Sequence, residues 1–514
     1  MNTTARSRSD LFPVQRRMLV WSVLLAAAAL LFATKSSPLF AMNDWVDVNC
    51  FLTVGRAIGA GKYPYLDLYE QKGPLLYLLY VIPGLMGEHA MLGIFLMELV
   101  CFSVYLFFCT RICALYTESP AAQFLTAAAL AVLLPVAPSF IHGAGVEEMM
   151  LPFFAYSFYV FLKAQKEERA LLWHEAFVTG IGAAYALWIK YTACGFYLGI
   201  ALGLLIWYLL CRHSVRDLLR AILFFLGGIA ALSLPILLWL WLGGALESMI
   251  QVYFLANMTS YVQDTYTFPQ VVSYIDLLFR RNPTFSVPLV AGLVLFFVQI
   301  KSGWQGRVGA FFSVVLSLFG LIATTYYGKR FYLYYSYVFS AYAAFGVLAV
   351  TVFLGNLAER FRLSLPDWPK YILVPLCLAW VLLFNYQFSN NRYFLSYSRD
   401  DLPQYQFAKI IREKEDPSLL NLGFLDGGFY FASQTLPECR LFCSLNLDTE
   451  EISQLRRERN AYILSEDGPD FIVTRGYKLE NYLSAAVKLY EIAAEGDLFF
   501  EGANRHYTLY RRIR

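Results

Sequence analysis

Charge is what this chain is short of. Only 15% of its 514 residues are Asp, Glu, Lys or Arg, whereas a soluble domain carries roughly 25%. A net charge of +3 is too small to suggest nucleic acid as a partner. Histidine is scarce: His89, His142, His174, His213 and His506 are the five, and none stands at metal-ligand spacing from another. HExxH is absent, so zinc proteolysis lacks support. No CxxC occurs, and most of the nine cysteines lie in apolar runs (Cys101, Cys109, Cys194, Cys211, Cys377), where a free thiol is a small core residue. Neither GxxxxGKS/T nor a GxGxxG after a strand is present to cradle phosphates, and GxSxG is missing, so nucleotide and serine hydrolysis lack support as well. There is no internal repeat and no low-complexity segment.

What is there is apolar. Hydrophobic residues make up 58% of the chain, in recurring runs of roughly 18 to 25, the length that crosses a bilayer. Arg6, Arg8, Arg16 and Arg17 precede the first run, Met18 to Thr34, which reads as an uncleaved anchor with its N-terminus in the cytoplasm. The apolar stretch 74–86 is too short to span and contains Pro83. Treating it as interfacial or re-entrant puts about 16 basic residues in inside loops and about 8 outside. Making it a span reverses that bias. The expected spans are therefore 18–35, 89–110, 120–138, 147–163, 172–189, 192–211, 220–243, 283–300, 308–326, 331–355 and 371–388, about eleven transmembrane helices over residues 1–388. The outer loops are 36–88, 139–148 and 244–282, the last expected as an interfacial helix. Residues 389–514 are charged and alternate helix and strand signals near 403–414, 419–426, 448–459, 470–474, 478–487 and 507–512, which predicts a small extracytoplasmic α/β domain. Cys439 and Cys443 are candidates to pair there.

The most polar early stretch is Asn43 to Pro74, with Asp44, Asp47, Asp67, Glu70, Arg56, Lys62 and Lys72 among five aromatics. The aromatics speak against a floppy linker. Asp47 sits just beyond the first span, where partial desolvation suits a general base. The plainer reading is a surface or capping acid, and Asp44 competes with it. Lys72 stands at the mouth of the short apolar helix, placed either to grip a phosphate or to snorkel, with Glu70 as its partner. Glu147 and Glu148 begin a span, where acids are favoured by the helix dipole or bind a hydroxyl or metal. Lys190 and Arg330 stand at outer span ends, as phosphate ligands or as anchors.

The segment DVNCFLTVGRAIGAGKYPYLDLYEQKGPLLYLL resembles the membrane glycosyltransferases of the GT-C fold. It is similar above all to glycosyltransferase family 39, to bacterial relatives of protein O-mannosyltransferases and to aminoarabinose transferases. Weaker similarity continues through HGAGVEE, WIKYT and GKRFYLYYSYVFSAY. The resemblance implies a GT-C-like helical membrane domain and makes Asp47 the first-loop catalytic carboxylate, Lys72 the donor-phosphate lysine, and Glu147 or Glu148 the second-loop acid, with Glu70 and Asp44 in reserve. Lys190 and Arg330 fall near cations that face the donor phosphate. The family's acid–lysine pair is here Glu70-Gln71-Lys72-Gly73-Pro74, and its late His-Tyr is Tyr334-Tyr335. These departures leave a divalent metal and the identity of the sugar open.

The implied protein is a multi-pass enzyme of the bacterial plasma membrane. It would move a hexose or pentose from a polyprenyl-phosphate donor to an extracytoplasmic glycan, lipid or protein, with inversion. A lipid-linked donor accounts for the missing nucleotide motifs. The alternative class is a secondary transporter or lipid-linked sugar flippase, which eleven spans would also suit.

Overall fold

A computed structural model describes residues 8–211, 213–261, 265–300, 302–361, 368–447 and 449–513; the side chains described begin at residue 15 and exclude 368–371. Arg6, Arg8, Arg212, Lys301, Arg362 and Lys370, which entered the charge count, lie outside the described side chains. Two compact units emerge, each assembled from three stretches of chain. The first comprises residues 1–34, 96–233 and 266–392, and the second 35–95, 234–265 and 393–514.

The chain is predominantly helical. In order come α1 (Arg8–Ala33), α2 (Val46–Gly59), α3 (Pro74–Gly84), α4 (Ala90–Tyr116), α5 (Pro120–Leu133), α6 (Val146–Lys166), α7 (Trp173–Lys190), α8 (Cys194–Leu210) and α9 (Val215–Leu242). Helices Pro283–Gln299, Trp304–Thr325, Ser340–Arg360 and Trp368–Phe388 follow. Every expected span falls on one of these. By length and composition, however, only six described helices qualify as crossing a membrane, or seven if the pair Phe268–Arg280 and Pro283–Gln299, bent by 101°, is one span. The count of eleven is not reached by this measure. One reason is that α5 is only 14 residues long. Another is that the 38 residues Trp173–Leu210, holding α7 and α8, qualify as a single crossing. That run is not straight: Lys190 is extended (φ −154°, ψ 93°), and Cys194 Sγ lies 4.0 Å from the carbonyl of Ala183. On a straight helix, eleven residues would separate them by about 16 Å.

The first unit packs through small residues. In α8, Gly195, Gly199 and Gly203 recur every fourth position, and a Cβ on any of them would lie 2.1–2.4 Å from Gly320, Leu316, Ser313 or nearby atoms of Trp304–Thr325. Backbones that close need glycine, the small-xxx-small rule of membrane helices.

In the second unit α3 is 11 residues, about 16 Å long at 1.5 Å per residue, against roughly 30 Å of hydrocarbon. The expected interfacial helix over 244–282 is instead broken. It divides into Leu246–Met249, a π-helical turn Ile250–Ala256, Asn257–Thr259 and, in the first unit, Phe268–Arg280. The tail forms a four-stranded mixed sheet of β1 (Leu419–Leu422), β2 (Phe471–Arg475), β3 (Tyr490–Phe500) and β4 (Ala503–Arg512), in the order β1-β2-β4-β3. β1 and β2 are parallel, and β4 runs antiparallel to β2 and β3. Helix Glu450–Leu464 joins the two parallel strands, and Leu420, Leu422, Ile463, Ile472 and Leu479 share a core.

Candidate functional site

In the second unit the polar loop is organised around α2. Asn43 accepts from the Trp45 N–H at 3.0 Å, and Asn49 Nδ2 returns bonds to the carbonyls of Asn43 and Trp45, each at 2.9 Å. This fixes the entry to the helix. The α2–α3 crossing is tight because a Cβ at Gly55 would lie 2.6 Å from the Tyr80 backbone. From Met42 to Gly55 every residue is buried except Asp47, which is half-buried in the first turn of α2.

Asp44, three residues earlier, is sealed. Its Oδ1 lies 2.7 Å from Lys35 Nζ, and both side chains are fully buried. Lys35 also donates to the Tyr393 hydroxyl at 2.9 Å and stands 4.2 Å from the centre of the Phe394 ring. Asp44, the reserve base, is thus enclosed in a buried ion pair. Lys35 did not stand out in the sequence, since its partner Tyr393 is 358 residues away.

Most other charges of the loop also have structural work. Arg56 Nη1 donates to the carbonyls of Tyr430 and Thr435 at 3.0 Å, and Lys62 Nζ to that of Pro437 at 2.7 Å. Thr53 Oγ1 donates to buried Asp426 at 2.6 Å. Asp67 closes its own turn by accepting from the Tyr63 N–H at 2.6 Å. Glu70 is buried, bonded by the Tyr77 hydroxyl and by the Lys72 N–H at 3.0 Å, while Tyr65 Oη donates to the Lys72 carbonyl at 2.6 Å. Burial lifts the Glu70 carboxyl above the usual range, opposed by the Lys72 charge and by the Tyr77 hydrogen bond. Glu70 thus clamps the backbone of Lys72. Asp47 and Lys72 are both half-buried. Glu501, at the β3–β4 turn, has a raised carboxyl, through desolvation first and then through Asp47 and Asp44.

In the first unit, Lys190 Nζ meets Glu147 Oε1 at 2.5 Å and stands 3.5 Å over the Tyr335 ring. Two residues expected in separate roles are therefore partners, joined by one of the tyrosines standing where the resemblance has His-Tyr. Glu148 accepts from the Gly145 N–H at 2.9 Å, capping its own helix. Arg330 is half-buried in the loop after Trp304–Thr325, five residues ahead of Tyr335. Glu98, inside α4, was missed although an intramembrane acid is a functional signal by itself. Its oxygens accept from Thr34 Oγ1 at 2.9 Å and from the Ala144 N–H at 2.6 Å. Gly143 beside it has φ +82°, and a Cβ there would lie 2.0 Å from Thr34 Oγ1. Among the described residues no cluster of three His, Cys, Asp or Glu side chains is placed to hold a metal ion.

A scaffold of long apolar helices with a small C-terminal sheet makes this a polytopic membrane protein of the GT-C fold. No family model and no curated protein matches the sequence. Among solved structures, the chain resembles ArnT from Cupriavidus metallidurans, bound to undecaprenyl phosphate and in the apo state, at a TM-score of 0.59 with 14% and 12% identity. Each match covers 95% of this chain and 98% of ArnT. Arabinofuranosyltransferase AftD from mycobacteria matches at 0.53 and 14% identity, over 100% of this chain and 40% of AftD. At these identities the likeness is one of fold.

Proposed function

We propose that this protein is a bacterial membrane glycosyltransferase that moves a sugar from a polyprenyl-phosphate donor to a hydroxyl on an extracytoplasmic acceptor. The observation that carries the reading is that Asp47 is the one solvent-reached position between residues 42 and 55, in a chain whose fold is shared with ArnT, crystallised with undecaprenyl phosphate. Asp47 removes the acceptor proton as the hydroxyl oxygen attacks the anomeric carbon. The bond from that carbon to the phosphate oxygen breaks, and the polyprenyl phosphate leaves with the electron pair. Single displacement inverts the anomeric centre. Lys72, its backbone held by Glu70, Tyr77 and Tyr65, binds the donor phosphate and stabilises the charge that develops there. The N-terminus is cytoplasmic and the C-terminal sheet extracytoplasmic.

The test is transfer by purified protein from a radiolabelled polyprenyl-phosphate sugar. Wild type transfers label, and Asp47→Asn loses about 10²–10⁴-fold in rate, the usual contribution of a positioned base. Undiminished transfer by Asp47→Asn removes Asp47 as the base. Wild type inert toward every polyprenyl-phosphate sugar sinks the enzyme reading in favour of a transporter.

A further inference from the structure

One face of α2 docks on the C-terminal tail at three successive turns. Arg56 holds the carbonyls of Tyr430 and Thr435, and Thr53 holds Asp426. Cys50 comes next, with its Sγ 4.0 Å from Cys443 Sγ. Both cysteines are buried, at 2% and 0% exposure, and they are 393 residues apart in sequence. The docking around them is built independently of the sulfurs, so the two thiols are held opposite one another whether or not they react. Cys439, the expected partner of Cys443, turns instead toward the Leu441 carbonyl at 3.6 Å.

We infer that Cys50 and Cys443 are joined as a disulfide in the mature protein, a covalent staple between the catalytic-loop helix and the C-terminal domain. The inference rests on the proposed extracytoplasmic placement of that domain, because disulfides persist only in oxidising compartments. The oxidant is a disulfide carrier of that compartment. Thiolate exchange with it gives a mixed disulfide; the second thiolate displaces the carrier's sulfur; two protein thiols become one S–S bond and the carrier leaves as two thiols. Closing the bond brings the sulfurs from 4.0 Å to about 2.05 Å. Burial and the neighbouring Cys443 push the Cys50 thiol well up, which makes it a poor nucleophile once enclosed. Exchange therefore accompanies folding, before the segment closes.

The experiment blocks free thiols in intact cells with N-ethylmaleimide, purifies the full-length protein, and digests it without reductant for mass spectrometry. A cross-linked Cys50–Cys443 peptide is expected. It disappears with dithiothreitol and in Cys443→Ser, and persists in Cys439→Ser. In parallel, exposed Lys478 is replaced (Lys478→Cys) and labelled on intact cells with a membrane-impermeant maleimide, which reports the tail's side directly. Labelling there with Cys50 and Cys443 recovered as free thiols, or with a Cys439–Cys443 peptide, overturns the staple and leaves the topology standing. No labelling overturns the external placement and the staple with it.

Discussion

The two acidic stretches that stand out in the sequence, residues 43–74 and 139–148, use their carboxylates in opposite ways. In the first, one acid is sealed and its neighbour three residues on is left in reach of solvent: Asp44 is locked to Lys35 at 2.7 Å with both side chains fully buried, and Asp47 is half-buried. In the second, both acids have structural partners. Glu147 binds Lys190, and Glu148 caps the helix it begins. The first stretch thus carries the candidate base, and the second orients a cation. Burial and partner identity make this distinction, and residue type alone does not.

The sharpest way to break the comparison is at the sealed pair. Asp44→Asn or Lys35→Met strands a buried charge and is expected to cost about 3–5 kcal/mol, visible as a large fall in Tm in detergent. The double variant Lys35→Met/Asp44→Asn recovers much of the loss. An unchanged Tm in the single variants would mean that Asp44 is not sealed.

Lys190→Met should cost less, about 2–3 kcal/mol, because the Lys190 side chain keeps 17% exposure. Glu147→Gln added to it should restore most of the Tm. Loss of transfer without loss of Tm would give Lys190 a role beyond its pairing.

Asp426 supplies a pH test. Burial, opposed by Thr53, Gly428 and Arg56, raises its carboxyl from 3.8 to about 6. The folded state therefore holds this proton more tightly than the unfolded chain. Its contribution is complete below about pH 4 and is lost as pH rises through 6, by on the order of 3 kcal/mol. Melting curves from pH 4.5 to 7.5 should fall less steeply for Asp426→Asn than for wild type. Parallel curves would show that Asp426 ionises normally.

The smallest effect expected is that of Glu148→Gln, which keeps an oxygen for the Gly145 N–H and an amide to face the neighbouring Glu98 carboxyl. A change of about 0.3–1 kcal/mol follows, read as a slight shift in Tm. A large loss would mean that Glu148 does more than cap.

Local pattern made much of this legible. The aromatic, charged loop after the first apolar run reads as folded, and α2 and α3 lie within it. Strand signals at 419–426, 470–474 and 507–512 fall on β1, β2 and β4. β3 escaped because Glu491, Ala493, Ala494, Glu495, Gly496 and Asp497 hide its alternation. It is an edge strand, where charge is tolerated and blunts pairing with other chains. Lys35 with Tyr393 and Cys50 with Cys443 escaped for a different reason, since contacts across more than 350 residues leave no trace in periodicity. Glu98 was legible as a lone acid in a span, and the scarcity of such charges led it to be passed over. The span count was the least legible feature, because helices such as α5 are too short for a length rule to decide.

The most direct test of the account is the initial transfer rate of Asp47→Asn from a polyprenyl-phosphate sugar, measured beside its Tm. The account predicts a rate lower by about 10²–10⁴-fold with Tm within the small range of a surface substitution. A wild-type rate at an unchanged Tm would contradict it.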